Sequence, residues 1–99
     1  MRVLLVCAMG MSTSILMKKM QKYWADAGED NEIAAVAVAE AEETAKDYDV
    51  VLVGPQMSYR LDEIRQATGK PVAAIPPADY GLGNCKNIDA LAKKTAGVA

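Results

Sequence analysis

Strand-like and helix-like segments alternate four times along the 99-residue chain, and this alternation limits the fold more than any other feature. Arg2 to Val6 is an apolar strand, and Ser12 to about Ala27 reads as a helix with Leu16, Met20, Tyr23, Trp24 and Ala27 at helical spacing. Lys18, Lys19 and Lys22 lie off that stripe, as a solvated face would, although they could also meet an acidic partner face, and Gly28 suits a C-terminal cap. Glu32 to Val38 reads as a second strand, although its alanines also suit a helix. A short acidic helix follows from Glu40 to about Lys46, its Glu40, Glu42 and Glu43 solvated. Asp49 to Val53 is a buried strand that stops at Gly54-Pro55. Ser58 to Thr68 is a helix closed by Gly69, with Leu61, Ile64 and Arg65 three and four residues apart. Pro71 to Ile75 is the fourth strand, broken by Pro76-Pro77. A last helix covers at least Ile88 to Ala96, with a start as early as before Gly81 left open.

Strands separated by helices require right-handed crossovers, and hence a parallel sheet covered on both faces. Ligands of such sheets bind beyond the carboxyl ends of the strands. Three segments are therefore expected at one edge: Cys7 to Ser14, Gly54 to Ser58 and Pro76 to Gly83. The length predicts a single domain, residues 1–99, around one core.

The charge balance excludes several classes of function. The formal net charge is -2 and the pI about 5.0, which speaks against nucleic acid or an anionic membrane surface as partner. No apolar run approaches the roughly 20 residues of a membrane span, and the first strand lacks the length and cleavage pattern of a signal peptide. A cytoplasmic location is expected. Two cysteines without metal-ligand spacing, in a chain with no histidine, predict no metal site and, in a reducing compartment, no Cys7–Cys85 disulfide. Without histidine a Cys–His protease is excluded, and any phosphohistidine in the chemistry must belong to another protein.

The chemistry concentrates in Cys7-Ala8-Met9-Gly10-Met11-Ser12-Thr13-Ser14, between the first strand and the first helix. Backbone amides at a helix N-terminus favour negative charge, so they can both activate a thiol and hold a phosphate. Gly10 allows close backbone approach, and Ser12, Thr13 and Ser14 add hydroxyl donors. A cysteine at the end of an apolar strand can also be a small buried hydrophobe, but the glycine, the three hydroxyls and the helix favour a functional thiol. Small cysteine phosphatases place an arginine and a hydroxyl residue after a cysteine and five intervening residues. Here Thr13 stands at the arginine position and Ser14 at the hydroxyl position. The loop has the phosphatase length without the cation that clamps a transferring phosphoryl group, which suits a carrier better than a hydrolase.

These residues resemble the active loop of the enzyme IIB subunits of the bacterial sugar phosphotransferase system (PTS), lactose/cellobiose (N,N'-diacetylchitobiose) class. The likeness extends to Asp49-Val50-Val51-Leu52-Val53-Gly54-Pro55-Gln56, to Tyr59 with Leu61, Glu63 and Ile64, to Lys70-Pro71-Val72 and to Tyr80-Gly81. Asn84 and Cys85 depart from the family pattern of an acidic residue and a glycine. The resemblance implies a three-layer α/β fold, with a four-stranded parallel sheet of order 2-1-3-4 flanked by helices, similar to low-molecular-weight tyrosine phosphatase. It implies that Cys7 accepts a phosphoryl group from a phosphohistidine of enzyme IIA. The group then passes to a sugar of cellobiose, chitobiose or lactose type on the membrane subunit, enzyme IIC. It implies a phosphate-binding loop of Ala8, Met9, Gly10, Met11, Ser12, Thr13 and Ser14, and no cofactor. Gln56 and Tyr80 match family positions around the site without an assigned chemical role. The protein would act in the cytoplasm and reach the inner face of the plasma membrane transiently, through enzyme IIC.

Other residues read less specifically. Met9, Met11, Met17, Met20 and Met57 could form an adaptable docking surface; Met20 belongs with the core, Met9 and Met11 beside the site. Trp24 continues the core stripe, and Cys85 is read as incidental. Asp79-Tyr80 faintly resembles the acid-bearing loop of small phosphatases, but no proline follows Asp79. The competing functions are a small cysteine-dependent phosphatase or arsenate reductase, and a redox or binding domain of flavodoxin-like shape. The absence of a Cys-x-x-Cys pair removes a dithiol oxidoreductase.

Overall fold

A computed structural model describes residues 1–7 and 11–97, with the side chains of residues 11–13 outside the description. Four strands, β1 (Arg2–Cys7), β2 (Glu32–Ala37), β3 (Val50–Val53) and β4 (Val72–Ala74), form a parallel sheet in the expected order β2-β1-β3-β4. The helices are α1 (Met11–Ala27), α2 (Val38–Thr44), α3 (Leu61–Thr68), α4 (Pro77–Leu82) and α5 (Cys85–Ala96).

The central strands are apolar at almost every position because both of their faces are covered. Val3 and Leu5 of β1, with Val50 and Leu52 of β3, pack with Leu16, Met20 and Trp24 of α1 and Ile88 and Ala92 of α5. Leu4, Val6, Val51 and Val53 point the other way, onto Ala41 of α2, Ile64 of α3 and Met57 in the segment before α3. β2 is an edge strand in which only Ile33 is buried, so alanines suffice there. Removing a large side chain such as Leu5 would cost about 2–5 kcal/mol.

At the end of the sheet away from Cys7, polar groups lock the α1–α5 layer. The buried indole Nε1 of Trp24 donates to Oδ1 of Asp89 at 2.7 Å. Lys93 bridges Oδ2 of Asp89 at 3.1 Å and Oε1 of Glu29 at 2.7 Å. Asn31 links Glu29 to the amino terminus, whose ammonium donates to Oδ1 of Asn31 at 3.0 Å.

Several sequence expectations need correction. The first helix begins at Met11 rather than Ser12, and Ala27, assigned to its stripe, is exposed. The second begins at Val38, two residues early, and its last residues, 45–47, tighten into a 3-10 turn. The segment after β3 does not start a helix at Ser58. Pro55–Arg60 forms a 3-10 helix, set by the fixed φ of Pro55 and the Met57 N–H bond to Gly54 O at 2.9 Å. Met57 is thereby turned into the core and is no docking residue. The last helix is two helices, separated where Gly83 adopts φ +62°. Gly28 and Gly69 close α1 and α3 as expected.

Candidate phosphoryl-transfer site

Cys7 is the last residue of β1, half-buried, where the strand gives way to the segment leading into α1. Its neighbours follow from the sheet register. On one side Cys7 pairs with Ala37, and its thiol lies 3.8 Å from the carbonyl oxygen of Val36. On the other side the Gly54 amide donates to the carbonyl of Val6 at 3.1 Å, which carries the β1–β3 ladder one step further, to the level of Cys7.

α1 starts four residues after the thiol, at Met11. The first N–H groups of an α-helix have no partner within it, and here these include those of Met11, Ser12 and Thr13. Ser14 is exposed on this first turn. Ala8, Met9 and Gly10, assigned to the phosphate-binding loop from the sequence, lie outside the described residues, as do the side chains of Met11, Ser12 and Thr13.

The three segments expected at this edge do converge. A Cβ built on Gly54 would lie 2.9 Å from Oε1 of Gln56 and 3.7 Å from Cε2 of Tyr80, so both side chains lean over the glycine beside Cys7. Tyr80 and Gly81 of α4, with Gly83, face Ile15, Leu16 and Lys19 of α1 across a cleft of about 220 Å³. The Lys19 side chain crosses Gly83 so closely that a Cβ there would sit 2.9 Å from its Nζ.

The other candidate groups at this edge are committed elsewhere. Nδ2 of Asn87 donates to Oδ1 of Asp79 at 2.9 Å, while Oδ1 of Asn84 accepts from the Asn87 amide and caps α5. Asp79 is thus tied to the α4–α5 corner, a poor posture for a general acid. Cys85 opens α5 and packs against the α1–α5 core; burial pushes its thiol up, and the Lys19 ammonium only partly opposes this. Among the described residues no three Cys, Asp or Glu side chains gather as a metal site would require.

Sequence reasoning missed the cleft. Its signal was present: Ile15 is apolar yet stands off the Leu16–Met20–Trp24 stripe, and Leu82 lies between two glycines. Both are exposed, at 57% and 77%.

Comparison with known proteins agrees with this geometry. Residues 2–91 match the family described as "PTS system, Lactose/Cellobiose specific IIB subunit". The chain is 39% identical over 88 residues to the PTS system oligo-beta-mannoside-specific EIIB component of Bacillus subtilis (strain 168), covering 86% of this chain and 85% of that one. It is 40% identical over 86 residues to the PTS system cellobiose-specific EIIB component of Lactococcus lactis subsp. lactis (strain IL1403), covering 79% and 80%. The solution structure of the cellobiose-specific phosphotransferase IIB component from Borrelia burgdorferi superposes with a TM-score of 0.82 at 36% identity, over 98% of this chain and 92% of that one. The lactose-specific IIB component domain from Streptococcus pneumoniae shares the fold, with a TM-score of 0.74 at 17% identity over 92% and 93%.

Proposed function

Because the chain belongs to the lactose/cellobiose-specific IIB family of the phosphotransferase system, we propose that it is a phosphoryl carrier in which Cys7 holds the phosphoryl group. The observation that carries this reading is the position of Cys7, at the end of β1 ahead of the partnerless amides that open α1, in a loop without lysine or arginine.

In the first transfer the Cys7 thiolate attacks phosphorus in line, on a phosphohistidine of enzyme IIA. The S–P bond forms as the P–N bond breaks, and the electron pair leaves with the histidine nitrogen. Positioning and preorganised donors supply the catalysis. The amides of Ala8 to Ser14 surround the phosphoryl oxygens, and the α1 N-terminus favours the anion before and after transfer. No cofactor takes part.

In the second transfer a sugar hydroxyl attacks the same phosphorus and the S–P electron pair returns to Cys7. The proton of the hydroxyl goes to a base on enzyme IIC, since the sequence of the cysteine loop, Cys7 to Ser14, holds no candidate base. The sugar is a β-linked disaccharide or oligosaccharide of the cellobiose, lactose or oligo-β-mannoside kind, as the names of the relatives suggest. The protein works in the cytoplasm and meets the membrane only through enzyme IIC; no described helix is long and apolar enough to cross a bilayer.

A phosphatase or arsenate reductase is disfavoured by Thr13 at the arginine position and by the engagement of Asp79 with Asn87. Phosphorus NMR after incubation with phosphorylated enzyme IIA tests the proposal: an S–P resonance is expected, and it should vanish in Cys7→Ser.

A further inference from the structure

Gln56 stands beside Cys7 on a fixed mount. The Gly54 amide donates to the Val6 carbonyl at 3.1 Å. This sets Gly54 level with Cys7 on the neighbouring strand, at the spacing of about 4.8 Å that paired strands keep. The ring of Pro55 fixes the next φ, and Met57 is buried in the core with its N–H on Gly54 O at 2.9 Å. Gln56 is held between these two residues, so its backbone has little freedom. Its side chain is exposed, and its Oε1 leans over Gly54, 2.9 Å from where a Cβ would stand. The Tyr80 ring borders the same glycine, with Cε2 3.7 Å from that point. The absence of a Cβ at Gly54 thus makes room for the Gln56 amide at the level of the thiol. Asn84 and Asn87 are spent at the α4–α5 corner, on each other and on Asp79. The Gln56 side chain makes no hydrogen bond to another described residue, so both of its Nε2 hydrogens are free to donate.

We propose that Gln56 is a catalytic residue of both transfers: its Nε2 donates a hydrogen bond to an oxygen of the phosphoryl group as that group arrives on Cys7 and again as it leaves. The proposal rests on the carrier reading. During transfer, negative charge spreads over the three equatorial oxygens of the phosphoryl group, and donors placed to meet it supply the catalysis. The cysteine loop holds no lysine or arginine for this purpose. The amides that open α1 follow the end of β1, and Gln56 adds a donor from the β3 side. An uncharged amide donates without gaining or losing a proton, so the same group serves when the S–P bond forms and when it breaks. A cation in its place would hold the phosphoryl dianion more tightly and oppose onward transfer.

The test follows both transfers of the full chain, from phosphorylated enzyme IIA and onward to cellobiose in membranes containing enzyme IIC. Gln56→Ala should lower the saturating rate of each about tenfold or more, with the half-saturating IIA concentration changed far less. Gln56→Glu keeps the shape of the side chain and an oxygen over Gly54, but removes the donor and adds a negative charge. It should slow both transfers further, whereas a packing role at Gly54 would spare it. Phosphorus NMR of the phosphorylated chain should show the S-phosphoryl group titrating at higher pH in both variants than in wild type, because a donor to the dianion is gone. Matched far-UV circular dichroism and melting temperature separate these effects from lost folding. Wild-type rates in Gln56→Glu, or an unmoved phosphorus titration in both variants, overturn the proposal. So does a defect confined to one transfer or to the half-saturating IIA concentration, which makes Gln56 a partner contact instead. If the wild-type chain takes no phosphoryl group at any IIA concentration, the carrier reading itself has failed.

Discussion

The amide of Gly54 donates to the carbonyl of Val6 at 3.1 Å, and through this bond the turn after β3 is set beside Cys7. The bond joins the two sequence features, the cysteine loop and Gly54-Pro55-Gln56, that lie 47 positions apart (54 minus 7). A Cβ at Gly54 would meet Oε1 of Gln56 at 2.9 Å, while the Tyr80 ring at 3.7 Å is in ordinary contact. Gln56 is exposed and flexible enough to yield. Gly54→Ala should therefore cost about 1 kcal/mol or less in urea denaturation, while lowering the phosphotransfer rate to the same degree as Gln56→Ala. A normal rate in Gly54→Ala with a depressed one in Gln56→Ala would break that link.

Gly83 turns the chain between α4 and α5 at φ +62°, a conformation that favours glycine. Its substitution by alanine should destabilise the protein by about 1 kcal/mol. Lys19 must also withdraw from the turn, since a Cβ would lie 2.9 Å from its Nζ and 3.0 Å from its Cδ. Equilibrium denaturation reads the first effect. A weaker effect of Gly83→Ala in a Lys19→Ala background reads the second.

Trp24 and Asp89 join α1 to α5 through a buried 2.7 Å hydrogen bond. Trp24→Phe keeps most of the apolar contact but strands Oδ1 of Asp89, at an expected cost of about 1–3 kcal/mol. Adding Asp89→Leu should recover part of this loss, because both partners are then apolar. A double-mutant cycle by thermal or urea unfolding measures the coupling, and a strictly additive pair would contradict it.

The same network predicts an alkaline limit to stability. Hydrogen bonds to Glu29, then to Asp89, hold the Lys93 ammonium above the ordinary lysine value. A group whose pKa is raised on folding stabilises the fold at pH values below its unfolded pKa, about 10.4 for lysine. That contribution is lost as the pH rises through the folded value. Lys93→Met should flatten the fall in melting temperature above about pH 10 and also lower stability at neutral pH, since it takes one partner from the buried Asp89 carboxylate. Arg60 lowers the Glu63 carboxyl in the same way at the acidic end, so Glu63→Gln should soften the loss of stability below about pH 4.3.

The strands were legible because Val3–Val6 and Val50–Val53 leave no polar position to face water, and two-sided burial of that kind implies a parallel sheet. The α1 stripe was legible at Leu16, Met20 and Trp24 for the same reason of spacing, but not at Ala27, where a small side chain can count for either face. Boundaries were misread where a local backbone bond decided them. The Gly54–Met57 turn winds Pro55–Arg60 into a 3-10 helix, and the αL geometry of Gly83 divides α4 from α5. Asp89 was not legible as a buried group, because its partners Trp24 and Lys93 come from 65 residues upstream and from the next turn of its own helix. For the site, the type and place of Cys7 could be read directly, whereas the cleft required the packing of α1 against the α4–α5 corner.

The most direct test of the account follows phosphorus from enzyme IIA onto this chain. Phosphorus NMR of the wild-type protein and of Cys85→Ser should show one S–P resonance, stable for the length of the measurement, and Cys7→Ser should show none. Retention of the label in Cys7→Ser, or its loss in Cys85→Ser alone, would contradict the assignment of the carrier to Cys7. Rapid release of inorganic phosphate from the wild-type chain, with turnover of p-nitrophenyl phosphate, would make it a hydrolase instead.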